Sequence, residues 1–230
     1  MGVLSATSSA VAVMERTLSV QTLGVLPYGE AWALQKELVA RRIAGDGTDT
    51  LLLLEHPPVY TLGRNSLEEH ILVPRGVLAV RGATVERCDR GGEVTFHGPG
   101  QLVAYPIMRL EGAERSISWL VDVVERAVVD TLAAYGVQGT LMPGQRGVWT
   151  RGRKIASVGL SLKRWVVFHG VALNVAPDLS FFELINPCGH AETVMTSLAM
   201  EVERPPSVAA AGATFARCFA LLCGRTLVEQ

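Results

Sequence analysis

Cys188 stands in INPCGH, where Pro187 stiffens one flank and Gly189 permits close main-chain approach on the other. The other cysteines are set differently. Cys218 falls on an apolar helical stripe with Ala211, Phe215 and Leu222, Cys223 borders that stripe, and Cys88 stands at a strand end. A thiol attacks through its thiolate, and an unperturbed pKa of about 8.5 leaves little of it ionised at neutral pH, so a base or cation is needed nearby. The candidates are His56, His97, His169 and His190, together with Lys154, which separates Arg153 from the apolar run IASVGLSL. Lys154 reads in two ways. It is either a solvated charge at a strand end or an inward lysine that takes a thiol proton and then holds the thiolate as an ammonium. Spacing alone leaves both open.

Residues 90–101, RGGEVTFHGPGQ, are the second candidate. Gly91, Gly92, Gly98 and Gly100 let the main chain press on a ligand and offer its amides, and Thr95 and His97 add side-chain hydrogen bonds. This reads as a cradle for a carbonyl or carboxylate, with a bulged hairpin as the alternative. It matches neither the phosphate loop nor the dinucleotide fingerprint. A zinc site from His97, His169, Cys188 and His190 lacks paired CxxC or HxxxH spacing, and no metal is expected.

The elements that must position these residues belong to one domain. The chain has 230 residues, 49% of them hydrophobic, which suffices for a sizeable single core and excludes a disordered chain. Twenty-one basic against 22 acidic side chains give a formal charge of -1, without the basic field of a non-specific nucleic-acid binder. Four irregularly spaced cysteines read as reduced thiols in a cytoplasmic protein. The start, MGVLSATSSAVAVMERT, has no basic region before its apolar part, and Ala6 occupies the hydroxyl position of a myristoylation signal. Residues 1–18 are therefore expected to be a loose arm and 19–230 the folded domain. The LLLL run from Leu51 closes at Glu55, far short of a membrane span.

Periodicity predicts helices over 28–43 and 116–135, a short one over 178–184 capped by Asp178, and a last one from Pro206 or Ser207 to Gly224. Extended segments are expected at 50–55, 59–62, 77–85 and 101–108, then a meander of 147–149, 154–162 and 166–175. The mixed order favours an α+β domain, its central mixed and mostly antiparallel sheet flanked by helices, over a doubly wound fold. Arg151, Arg153, Lys163 and Arg164 form a basic cluster in sequence that is expected to dock an acidic partner.

Five segments in order, LLLLEHPPVYTLGR, RGGEVTFHGPGQLVAYP, RKIASVGLSL, FHGVALNV and INPCG followed by TSL, together resemble one family over about residues 50–198. It is the octanoyl-acyl carrier protein:protein octanoyltransferases, or lipoyl(octanoyl) transferases. The resemblance implies the fold shared by biotin and lipoate protein ligases. It also implies transfer of an octanoyl group from the thioester of acyl carrier protein to a lysine on lipoyl domains of 2-oxoacid dehydrogenase E2 subunits and the glycine cleavage H protein. On matching motifs Cys188 is the acyl-accepting nucleophile and Lys154 the residue that lowers its pKa and shuttles protons. Arg90, Gly91, Gly92, Glu93, Val94, Thr95, Phe96, His97, Ser157, Val158, Gly159, Gly170, Val171 and Ala172 match the substrate-binding segments. Neither ATP nor metal is implied, and a monomer acting without nucleic acid or membrane is expected. ATP-dependent lipoate ligases, the nearest rival, typically carry Asp after the histidine and Asn at the end of this motif, where this chain has Gly98 and Gln101. A cysteine acyl-thioesterase, using the same Cys188 but admitting water, is the other alternative.

Overall fold

The computed structural model describes residues 16–186 and 193–229; Cys188 and His190 lie outside them. Ten strands and five helices follow one another as β1 (Thr17–Val25), α1 (Tyr28–Ala44), β2 (Asp49–Glu55), β3 (Val59–Leu62), α2 (Arg75–Val80), β4 (Thr84–Arg87), β5 (Val94–His97), β6 (Gln101–Arg109), α3 (Ile117–Ala133), β7 (Val148–Thr150), β8 (Arg153–Lys163), β9 (Val166–Asn174), α4 (Leu198–Glu201), α5 (Val208–Leu222) and β10 (Thr226–Glu229). Seven strands form one sheet in the order β10-β1-β2-β6-β9-β8-β7, parallel at β10-β1-β2 and antiparallel beyond. A smaller sheet, β4-β3-β5, carries the start of the glycine-rich segment. The architecture is the expected α+β domain with a large mixed sheet flanked by helices.

The LLLL run shows why this layering forms. Leu51 and Leu53 face a core shared with α3 and α5, and Leu52 and Leu54 face the one under α1. A strand buried on both faces needs no polar alternation, and each leucine contributes about 2 kcal/mol through burial. Gly45 at φ +88 ends α1, and its N–H bonds to the Arg42 carbonyl. Ser116 and Ser207 cap α3 and α5 through their side chains, and Asp178 caps the 3-10 turn Leu179–Leu184. The meander turns place Arg151 at φ 48 with Gly152 at φ 75, and Arg164 at φ 49 with Trp165 at φ 63, as two-residue hairpins require.

Three expectations change. Residues 77–85 are not one extended piece: α2 occupies Arg75–Val80, and only β4 is extended. Pro74 opens that helix, Gly82 at φ +73 follows it, and Leu78 is its one buried residue, so the apolar run carries no strand period. The arm boundary at residue 18 is also displaced. Thr17 and Leu18 pair with β10, and Leu18 is fully buried against the main core. Finally, Arg151 and Arg153 lie at one end of the eleven-residue β8 while Lys163 and Arg164 lie at the other, about 30 Å away at the strand rise. The first two also pair with Glu201, at 3.7 and 2.8 Å, so the four do not form one docking cluster.

Candidate active site

Where β8 and β9 pass under the glycine-rich segment, a cavity of about 530 Å³ opens. Every predicted substrate-binding residue except Phe96 lines it, as do Lys154, His169 and Thr193. Phe96 faces the other side of β5, stacked 4.5 Å from Phe181 in the core beneath the small sheet. Val103, Val121, Val158, Leu160 and Val171 give the cavity an apolar wall suited to an alkyl chain.

The glycines are needed for contact between main chains. Gly91 donates to the Leu160 carbonyl at 3.0 Å, and a Cβ on Gly159 would stand only 3.0 Å from the Gly91 oxygen. At Gly63 a Cβ would run into the Gly92 carbonyl, and at Gly170 into that of Ala104. The buried Arg90 guanidinium donates to the Thr61 carbonyl at 2.6 Å, to its hydroxyl at 2.9 and 3.0 Å, and to the Gly91 carbonyl at 3.0 Å. Its fork is thus largely spent on shaping the loop.

His97 begins a buried polar chain. Its Nδ1–H donates to Gln101 Oε1 at 2.7 Å, Gln101 Nε2 donates to Asn174 Oδ1 at 2.9 Å, and Asn174 Nδ2 donates to the Thr196 carbonyl at 2.9 Å. Thr196 in turn donates its N–H to the Lys154 carbonyl at 2.9 Å. The closing glutamine of the HGPGQ motif therefore ties the glycine-rich loop to the strand that carries Lys154. Burial holds His97 well below the ordinary histidine pKa, so it is neutral, with its Nδ1 proton fixed by Gln101.

His169 is held with unusual care. It lies in β9 at φ +54, its N–H donating to Gln35 Oε1 of α1 at 2.7 Å and its Nε2 bonded to Asp89 at 2.8 Å. Burial lowers its pKa against the opposing pull of Asp89. His56 receives the Tyr105 hydroxyl on Nε2 at 2.8 Å and donates Nδ1–H to the Leu26 carbonyl at 2.6 Å, and burial brings its pKa down to about 4.

Lys154 is 3% exposed, which removes the solvated strand-end reading. Its ammonium sits 5.0 Å from the centre of the Trp149 ring. Its main chain pairs with residues 194–196, accepting from Thr196 and donating to the Val194 carbonyl at 2.8 Å. At the other end Asn186 donates to the His70 carbonyl at 2.8 Å. The segment containing Cys188 is therefore anchored on both sides, and the chain returns from it at the cavity wall. Sequence reasoning assigned no role to Asp89, Gln35, Asn174 or Glu125. Asn174 stood inside a quoted motif, and Glu125 showed itself only as a carboxylate on the buried side of α3. Among the described residues, no group of three or more His, Cys, Asp and Glu side chains is placed to hold a metal, and no helix is long and apolar enough to cross a membrane.

The fold is that of the lipoate and biotin protein ligases. A putative lipoate protein ligase from T. acidophilum with bound lipoic acid superposes with a TM-score of 0.75 at 17% identity, covering 94% of this chain and 89% of that one. A biotin protein ligase from Aquifex aeolicus reaches a TM-score of 0.55 at 12% identity, covering 89% and 69%. The model of the lipoyl protein ligase A/B catalytic domain matches residues 27–220. Octanoyltransferases of Chloroflexus aggregans and Gloeobacter violaceus are 48% and 45% identical over 197 and 205 residues, covering 84% and 87% of this chain and 89% of each relative. The chain belongs to the octanoyltransferases of the lipoyl protein ligase A/B catalytic domain family.

Proposed function

We propose that the protein moves an octanoyl group from the thioester of acyl carrier protein to a lysine of lipoyl domains, through an acyl-enzyme on Cys188. The observation that carries this reading is Lys154, a buried lysine on the wall of an apolar cavity, next to the segment by which the chain returns from Cys188. Family membership supplies the acyl group and the acceptor. Lys154 takes the thiol proton and, as an ammonium, holds the thiolate. The thiolate attacks the incoming thioester, and Lys154 returns the proton to the leaving pantetheine thiol. Because one thioester replaces another, the exchange needs neither nucleotide nor metal. The lysine amine then attacks the acyl-enzyme, Lys154 takes its proton, and the Cys188 thiolate leaves as the amide forms.

The alkyl chain lies against Val103, Val158 and Val171, where its burial supplies binding energy. The acceptors are lipoyl domains of 2-oxoacid dehydrogenase E2 subunits and the glycine cleavage H protein. Cys88, Cys218 and Cys223 are free thiols, which supports a reducing, cytoplasmic setting. The test is to supply an apo lipoyl domain with octanoyl-acyl carrier protein in the absence of ATP, and in parallel with free octanoate plus ATP. Modification in the first arm alone is expected, and modification in the second alone would identify a ligase.

A further inference from the structure

A buried carboxylate that the mechanism above does not use stands behind Lys154. Glu125 belongs to α3, is 6% exposed, and its Oε1 accepts the Gly147 N–H at 2.7 Å. Gly147 takes φ +124, open to glycine. A Cβ there would run into the Ala156 carbonyl and stand 2.7 Å from Lys154 Cε, so the Gly147 main chain lies directly against the lysine side chain. The segment held in this way is also a partition. Gly144, Gln145 and Arg146 line both the main cavity and a second one of about 360 Å³ that has Glu125 in its wall. The charged groups around this carboxylate are Lys154 on β8, Arg146 on the segment before β7, and Asp122 on its own helix. The nearby Glu201 carboxylate is committed to Arg153 and the Thr196 hydroxyl.

We propose that Glu125 is a positioning residue for Lys154: it fixes the Gly147 main chain against the lysine and sets a negative charge behind the ammonium. The proposal rests on the role given to Lys154 in the transferase reading. A carboxylate is required because it does two things at once. It anchors the amide through a charge-assisted hydrogen bond, and it favours the protonated lysine that the acylation step needs. Glutamine at this position keeps an acceptor for Gly147 and removes the charge, and alanine removes both.

The experiment follows octanoyl transfer by the wild type, Glu125→Gln and Glu125→Ala across pH, with kcat and KM for octanoyl-acyl carrier protein and a melting midpoint for each. Glu125→Gln is expected to lower kcat about tenfold with KM nearly unchanged, and to move the alkaline limb of the profile down by about one pH unit. Glu125→Ala is expected to lose more activity, because the Gly147 amide then lacks its acceptor. If Glu125→Ala fails to fold, Glu125→Gln decides. A Glu125→Gln enzyme with wild-type kcat and an unmoved alkaline limb would overturn the proposal. A wild type that transfers nothing overturns the transferase reading itself, whereas an active wild type beside unshifted variants overturns only the role of Glu125.

Discussion

Replacing Gln101 with methionine keeps the length and volume of the side chain and removes its amide. Gln101 is 1% exposed and holds both the His97 Nδ1–H at 2.7 Å and Asn174 Oδ1 at 2.9 Å. Two buried polar atoms then lose their partners in a site with no room for water to replace the amide, each at a cost of about 1–3 kcal/mol. The sum centres on about 4 kcal/mol, and in a domain of this size each kcal/mol lowers the melting midpoint by roughly 2–4 °C, so a drop of roughly 8–16 °C is expected. Urea unfolding with a shared slope gives the free energy directly. Activity should fall further than stability explains, because the same amide fixes the His97 proton and, through Asn174 and Thr196, the main chain at Lys154. A loss under about 1 kcal/mol with normal turnover would refute the reasoning that this chain of hydrogen bonds holds the site together.

Gly170→Ala should yield little folded protein, since its Cβ would overlap the Ala104 carbonyl in the middle of the sheet; normal soluble yield and melting midpoint would contradict this. Stability should also fall with acid. Burial depresses His56 to about 4, below its unfolded value of about 6.5, so the unfolded chain binds the extra proton. The contribution is complete above about pH 6.5 and is lost as the pH falls towards 4, reaching about 2 kcal/mol by pH 5 in urea titrations. A His56→Gln variant should show a shallower acid dependence.

The local pattern of the chain made much of this fold legible, and its long-range pairing made the rest obscure. Capping serines and aspartates, paired turn residues and helical stripes mark 28–43, 116–135 and the meander, because each is decided within a few residues. β1 is different. Its identity as an interior strand depends on β10, some two hundred residues away, and on Leu18 finding the core. α2 was obscured because Val77 and Val80 are apolar yet exposed, so composition suggested a strand that Pro74 prevents. In the site, the glycine-rich segment and the β8 and β9 motifs pointed to the cavity because close backbone approach requires glycine at fixed places. Asp89, Gln35 and Glu125 act across the fold on His169 and Gly147, and no spacing rule connects them.

The central claim is that the acyl group rests on Cys188 with Lys154 as its acid-base partner. Intact mass of the purified protein after exposure to octanoyl-acyl carrier protein without ATP tests it directly, with Cys188→Ser and Lys154→Ala in parallel and an apo lipoyl domain added afterwards. An octanoyl adduct on the wild type, absent from Cys188→Ser, strongly slowed in Lys154→Ala and discharged onto the lipoyl domain, is the predicted result. A lipoyl domain modified at the normal rate by Cys188→Ser would contradict it.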